Sequence, residues 1–397
     1  MTWTWGRAAC AMRRRTWCRH GSTLLPRPSP ADPKLFTPGP LTTSVSVKQA
    51  MMRDVGSRDA SFLDVIATVR KRILEVAGVS PAEYTCVIMQ GSGTFGVESV
   101  LTSAVPRESG KLLIMSNGVY GRRMAQIARV YGIAHRVVEK PEDDAFVGID
   151  IDSAMEADPS ITHVAVVHSE TTSGLLNDID EIGGAVKWRN AQFIVDAMSS
   201  FAGVPVDMKN IDYLVSSSNK CLESVPGFSF VIARRKSLEQ AAGNARTLSL
   251  DLPAQNAGLD ANGQFRFTPP THALLAMRQA LDELEIEGGV EARHQRYKSL
   301  QRIIVKGFER MGFQSWVPPE FRGPIITTFA FPEQPEWNFA RFYNGLAQRR
   351  MLIYPGVIST VPTFRIGHIG RLFEPDAYAL VDASREVLRD MGVKTKP

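Results

Sequence analysis

The chain has 397 residues, 44% of them hydrophobic, which is enough for one large core with a smaller companion, and no apolar run in it is long enough to cross a bilayer. Its formal charge of +5 could suggest a nucleic-acid partner, but residues 1–33 hold six arginines against Asp32 alone, which accounts for the whole excess and leaves the body neutral. Four cysteines with neither a disulfide framework nor a zinc spacing exclude a stapled secreted domain and point to a reducing compartment.

Residues 1–33 are rich in arginine and tryptophan, poor in acids and end in a proline cluster, so they are expected outside the fold. Such a leader fits a mitochondrial presequence or an upstream start codon wrongly assigned, and the expected location is cytoplasmic unless the presequence is genuine. Residues 34–50 read as an arm, because Pro38, Gly39 and Pro40 force an extended, sharply turned path. A helix is predicted over 62–76, with apolar residues at helical spacing and Gly78 as its stop.

A strand over 84–89 runs into Gly91, Ser92, Gly93, Thr94 and Gly96 and then a helix over 97–105. A glycine turn at a helix N-terminus offers amide hydrogens and the positive end of the dipole to a phosphate, with the Ser92 and Thr94 hydroxyls beside them. The glycines also satisfy G-x-G-x-x-G, which would suit a nicotinamide dinucleotide. The next strand, 111–116, ends in Asn117 and Gly118 where a dinucleotide site needs an acid, and a P-loop lysine is missing after Gly96. The alternation continues with helix 122–131, strands 135–138 and 161–167, helix 179–189, and strands 193–196, 213–215 and 228–233, which implies a mostly parallel sheet covered on both faces.

Two neighbouring runs carry the chemistry. Phe193, Ile194 and Val195 stop at Asp196, and Tyr213, Leu214 and Val215 lead through serines and Asn219 to Lys220. Ligands of open α/β sheets bind at such strand ends. A lysine that can form a Schiff base and a carboxylate that can hold a pyridine nitrogen protonated are what pyridoxal 5′-phosphate chemistry requires. Cys221, beside the lysine, reads as a small packing residue, and no later cysteine could serve desulfuration. His168 is one of seven scattered histidines and is not expected to act as a base.

Residues 238–272 read as irregular, followed by helix 273–286 and the breaker pair Gly288 and Gly289. A second unit over 289–397 is expected to hold a helix over 290–311, strands at 325–331, 351–354 and 364–368, and helices over 339–348 and 375–391. Its notable residue is Arg365, flanked by Phe364 and Ile366, since an arginine in an apolar strand is costly unless it meets an anion.

From about residue 35 to the last helix the chain resembles the class V, fold type I, pyridoxal phosphate-dependent aminotransferases, chiefly in HSETTSG, IVDAMSS, SSNKCLESVPGF, RFTPPTH and FRIGHIG. The resemblance implies an α/β fold, with a large domain over 51–288 around a mostly parallel seven-stranded sheet and a small C-terminal α+β domain over 289–397. It also implies a homodimer without nucleic-acid or membrane partners and without a metal. It puts Tyr120 on the face of the cofactor ring and Thr172, with Thr171 as the alternative, at the ring oxygen. Met198 and Asn219 are further cofactor neighbours, Thr268 reaches the partner's cofactor phosphate, and Arg365 grips the acid group of the substrate. The activity it implies is amino transfer from 2-aminoethylphosphonate to pyruvate, with alanine or serine:glyoxylate transamination as the alternative. Pro269 and Ser224 stand where members more usually carry serine and glycine.

Overall fold

The computed structural model describes residues 32–358 and 360–395, so the leader predicted over 1–33 lies, but for its last two residues, outside the described residues. Seven strands form the main sheet: β1 Tyr84–Gln90, β2 Leu112–Ser116, β3 His135–Glu139, β4 His163–Val167, β5 Gln192–Asp196, β6 Tyr213–Ser217 and β7 Phe228–Arg234. Their order is β1-β7-β6-β5-β4-β2-β3. Only β7 runs antiparallel to its neighbours. Every residue of β2, β4 and β6 is buried, which is why these strands read as unbroken apolar or small-residue runs instead of alternating ones.

The helices that matter most for the site are α1 Gly93–Ala104, α2 Val119–Val130, α3 Leu252–Asn262, α4 Thr271–Glu287 and α5 Gly289–Arg310. α1 starts four residues before the predicted helix, because the glycine turn is itself its first turn. α3 corrects the reading of 238–272 as irregular. Its apolar face is only Leu252 and Leu259, too thin to show a period, although the signals at its ends are present: Asp251 caps the Ala254 amide and Gly263 stops it with φ 74°. Three further α-helices were not predicted, Val45–Ala50, capped by Ser44 within the arm, Gly148–Ala157 and Arg235–Gln240.

A second, antiparallel sheet contains β8 Ile326–Ala330, β9 Tyr354–Pro355 and β10 Thr363–Gly367 in the order β8-β10-β9. The strand predicted over 351–354 is two pieces: Met351–Leu352 pairs with Lys34–Leu35 of the arm, and Tyr354–Pro355 pairs with β10. Phe364 enters an aromatic cluster with Phe308, Phe313, Phe329, Trp337 and Phe342. Successive strand residues face opposite sides, so the packing of Phe364 turns Arg365 the other way, towards the main sheet. One apolar cluster runs from Phe36 and Phe62 to Val393 and joins the two sheets. Among the described residues no helix is long and apolar enough to cross a membrane.

Candidate active site

Five parallel strands, β1, β2, β4, β5 and β6, end on one side of the sheet, and the residues that follow them wall a cavity of about 200 Å³. Ser92, Gly93 and Thr94 follow β1, Tyr120 and Arg123 follow β2, Ser169 and Thr171 follow β4, Asp196 and Met198 end β5, and Ser217, Asn219 and Lys220 end β6. Parallel topology puts these side chains, far apart in sequence, at one edge.

The β1 end is shaped for an anion. Ser92 caps α1 in an extended conformation, yet its hydroxyl makes no capping bond and the first turn holds no acid. The helix dipole and the leading amides are thus left without a side-chain partner. A Cβ on Gly93 would stand 2.3 Å from the Met198 sulfur, so only glycine lets Met198 lie against this turn. The third glycine of the dinucleotide-like pattern has a packing role, since a Cβ on Gly96 would stand 2.7 Å from the Ser229 hydroxyl of β7.

Opposite this turn, half-buried Tyr120 donates its amide hydrogen to Glu170 Oε2 at 3.2 Å. The guanidinium of Arg123, one turn along α2, lies 4.8 Å from the Tyr120 ring centroid and donates to Thr94 Oγ1 at 3.3 Å. Glu170 is fully buried and burial pushes its carboxyl upward, while the Thr172 amide and hydroxyl donate to it. The Thr172 hydroxyl also accepts the Val119 amide hydrogen at 3.2 Å, so it is engaged behind the wall, and it is Thr171 that lines the cavity. A Cβ on Gly118 would stand 2.3 Å from the Glu170 carboxyl carbon. Gly118→Ala is therefore expected to displace Glu170, free Tyr120 and cost about 1–3 kcal/mol of stability, measured by denaturant unfolding.

Asp196 accepts the Met198 amide hydrogen at 2.9 Å. Burial raises its carboxyl to about 7 against that bond. β6 lies beside β5 with Asp196 opposite Val215, so Lys220 leaves the neighbouring strand five residues beyond that register point. The Lys220 amine donates to Pro38 O at 2.7 Å and to Gly39 O at 3.3 Å, so the arm covers it, and burial lowers it to about 8. An acid raised to about 7 beside an amine lowered to about 8 gives two groups that change protonation near neutral pH. His168 is shut behind the sheet edge, its Nδ1 2.9 Å from the Ser200 hydroxyl, and burial lowers it to about 4, which leaves it neutral.

Arg365 is 8% exposed. Its Nε donates to Pro355 O at 3.0 Å and one terminal nitrogen donates to Thr171 O at 2.9 Å, and no carboxylate among the described residues forms an ion pair with it. It stands behind Thr171 as a buried cation held only by carbonyls, an arrangement suited to receiving an anion. Thr268 is exposed and lines no part of this cavity. Thr171, named from the sequence only as the alternative to Thr172, lines the cavity, as do Arg123, Ser169, Ser199 and Ser217, which were not singled out. For Arg123 the signal was there, three residues beyond Tyr120 on the same helix face.

The family described as aminotransferase class-V matches residues 43–348. The 2-aminoethylphosphonate--pyruvate transaminase of Syntrophobacter fumaroxidans (strain DSM 10017 / MPOB) is 46% identical over 378 residues, covering 93% of this chain and all of the relative. That of Salmonella heidelberg (strain SL476) is 47% identical over 363 residues, 89% of this chain and 97% of the relative. Among solved structures, an alanine--glyoxylate aminotransferase from Nostoc sp. superposes with a TM-score of 0.83 at 25% identity, covering 91% of this chain and 96% of that one. A ureidoglycine-glyoxylate aminotransferase from Bacillus subtilis gives 0.83 at 22% identity over 96% of both chains, a likeness of fold alone. A sheet that ends in Asp196 and Lys220, relatives nearly half identical over most of the chain and a family match across most of its length agree, and the chain belongs to the class-V aminotransferases.

Proposed function

We propose that this protein moves the amino group of 2-aminoethylphosphonate to pyruvate, giving phosphonoacetaldehyde and L-alanine, with pyridoxal 5′-phosphate as cofactor. The observation that carries the substrate choice is the 46–47% identity, over nearly the whole chain, to relatives that bear that activity in their names. The cavity supports the cofactor. The uncapped α1 N-terminus with Ser92, Gly93 and Thr94 suits its phosphate, Tyr120 suits its ring face, and Asp196 suits its pyridine nitrogen. Thr171, which lines the cavity, is the better candidate for the ring oxygen than Thr172. The cofactor when bound supplies an aldehyde to hold the amine and a ring to receive electrons from the neighbouring carbon.

The chain's own residues do the rest. Lys220 would hold the cofactor's aldehyde and would move the proton at the reacting carbon, tasks suited to an amine lowered to about 8. Asp196, whose raised carboxyl can hold a proton, would pass that proton to the pyridine nitrogen and stand as its counter-ion. Arg365, with no carboxylate of its own, orients the phosphonate of one substrate and the carboxylate of the other. A phosphonate can carry a second charge, and Arg123, which lines the cavity while Arg365 stands behind Thr171, supplies a further cation.

A homodimer is part of this reading. Phe95 is exposed on the first turn of α1, and exposed Leu248 and Phe267 lie on segments joined by Arg266 donating to Leu248 O at 2.9 Å, with the 247–252 segment tied to α1 through Ser99 Oγ donating to Leu250 O at 2.8 Å. An apolar patch there, next to exposed Thr268, fits a second copy that exchanges this threonine.

The test is a direct comparison of amino donors and acceptors with the purified protein. Pyruvate with 2-aminoethylphosphonate should react far faster than glyoxylate with alanine or serine, and the reverse ranking would replace this substrate with the alternative. Arg365→Ala should lower kcat/KM for the phosphonate by about two orders of magnitude, as expected when one partner of an enclosed charge pair is truncated.

A further inference from the structure

Behind the lysine loop, away from the cavity wall, three arginines and three glutamates meet in the interior. Glu223 follows Lys220 by three residues with φ 58°, a left-handed conformation a glutamate rarely adopts, and its amide donates to Lys220 O at 2.8 Å. Its carboxylate accepts from Arg296 at 2.7 Å, from the Tyr297 hydroxyl at 2.6 Å and from Arg371 at 3.2 Å. Glu287 accepts from Arg293 at 2.8 Å and Arg296 at 2.7 Å. Glu283 accepts from Arg371 at 2.9 Å on one oxygen, and on the other from the hydroxyls of Ser44 at 2.7 Å and Ser46 at 2.5 Å. Arg293 returns to the lysine loop and donates to Cys221 O at 2.7 Å.

The partners of these charges lie on separate pieces of the chain. Ser44 and Ser46 belong to the arm, Arg371 to the turn after β10, Glu223 to the lysine loop, and the rest to α4 and α5. Arg371 also donates its amide to Thr42 O of the arm at 2.8 Å, and Arg296 donates to Gly370 O at 2.7 Å and Leu372 O at 2.9 Å. The arm in turn presents Pro38 O and Gly39 O to the Lys220 amine. One connected path therefore reaches the lysine from both ends, at its backbone through Glu223 and at its amine through the arm. Buried ion networks are seldom a source of net stability, because desolvation offsets attraction, and their attested use is to specify one arrangement.

We propose that Glu223 is a positioning residue for Lys220: through Arg371 and Glu283 it locks the lysine loop to the arm whose carbonyls receive the amine. The same lock ties the arm and the loop to the turn that follows Arg365, so the anion-binding strand and the lysine keep one spacing. This inference rests on the role given to Lys220 above but not on the identity of the substrate.

Two variants test it, Glu223→Gln, which removes one charge at constant size, and Ser46→Ala, which takes one hydroxyl from Glu283 at the far end of the path and leaves the Ser44 cap and all six charges in place. Amide exchange in the cofactor-free protein is read at Phe36, Gly367 and Arg371, whose amides make the arm's contacts with the C-terminal part. Glu223→Gln is expected to speed exchange there more than about tenfold although Glu223 touches none of these amides. In the cofactor-loaded enzyme kcat should fall more than about tenfold, while both KM values and the affinity for pyridoxal phosphate stay within about threefold. Ser46→Ala should move exchange and kcat the same way by a smaller factor, and it decides the matter alone if the glutamine variant does not fold. Unchanged exchange in the arm, or a kcat within about twofold of wild type beside a lowered melting temperature, overturns the proposal. The exchange reading stands whichever amino donor proves correct, so it fails separately from the substrate assignment.

Discussion

Replacing Lys220 with alanine is expected to lower kcat by about four orders of magnitude or more, the upper range for losing a general acid-base group, and to abolish the yellow absorbance of covalently held cofactor. The fold should survive, because the lysine is held by two arm carbonyls and its charge is a burden on the folded state. Burial lowers its amine from 10.5 to about 8. Between those values the unfolded chain binds a proton that the folded chain does not, so wild-type stability rises with pH across about 8 to 10.5 and the penalty is complete below about 8. The cofactor-free alanine variant is spared this penalty. Relative to wild type it should gain up to about 3 kcal/mol on going from pH 10.5 to pH 8, offset in absolute terms by lost packing. Denaturant unfolding of both proteins at several pH values measures the difference directly. Transamination by the variant without added amine would remove Lys220 from the mechanism, and a pH-independent difference in stability would show that the amine is not desolvated.

Much of this arrangement was legible before the structure because it follows from local pattern. The apolar runs that stop at Asp196 and before Lys220 are buried parallel strands, and their C-terminal ends lie where ligands of such sheets bind. The glycine turn at 91–96 announced a helix N-terminus, and only its starting residue was misplaced. What was not legible depends on contacts distant in sequence. That Thr171 faces the cavity while Thr172 is spent on Glu170 is decided by the Gly118–Tyr120 turn, some fifty residues earlier. The pairing of Met351–Leu352 with the arm divides what looks like one strand. α3 escaped because its sequence, LPAQNAGLDAN, carries too few apolar residues to show a period. The ion network escaped for a different reason: Glu223 and Arg371 each looked like an ordinary charged residue beside a recognised motif, and only the fold brings them to 3.2 Å.

Asp196→Asn should separate function from stability in opposite directions. In the cofactor-free protein burial raises the Asp196 carboxyl from 3.8 to about 7, so the folded state keeps a proton that the unfolded chain has already lost. Stability attributable to this group therefore falls as pH rises from about 4 to about 7, and the full penalty, up to about 4 kcal/mol, persists above that range. An amide carries no such penalty, so the variant without cofactor should be the more stable protein at pH 8 and close to wild type near pH 4, as unfolding curves at the two pH values would show. Turnover should move the other way. The amide can still accept the Met198 amide hydrogen, but it cannot act as the counter-ion of a protonated ring nitrogen. The cofactor should bind through the α1 N-terminus and Lys220 while kcat drops by about two to three orders of magnitude, the usual cost of removing one electrostatic stabiliser from an enclosed site. A protein made sturdier and slower by the same change is the signature of a carboxylate kept in place for chemistry. Near-normal turnover with lowered stability would instead reduce Asp196 to a cap on the Met198 amide.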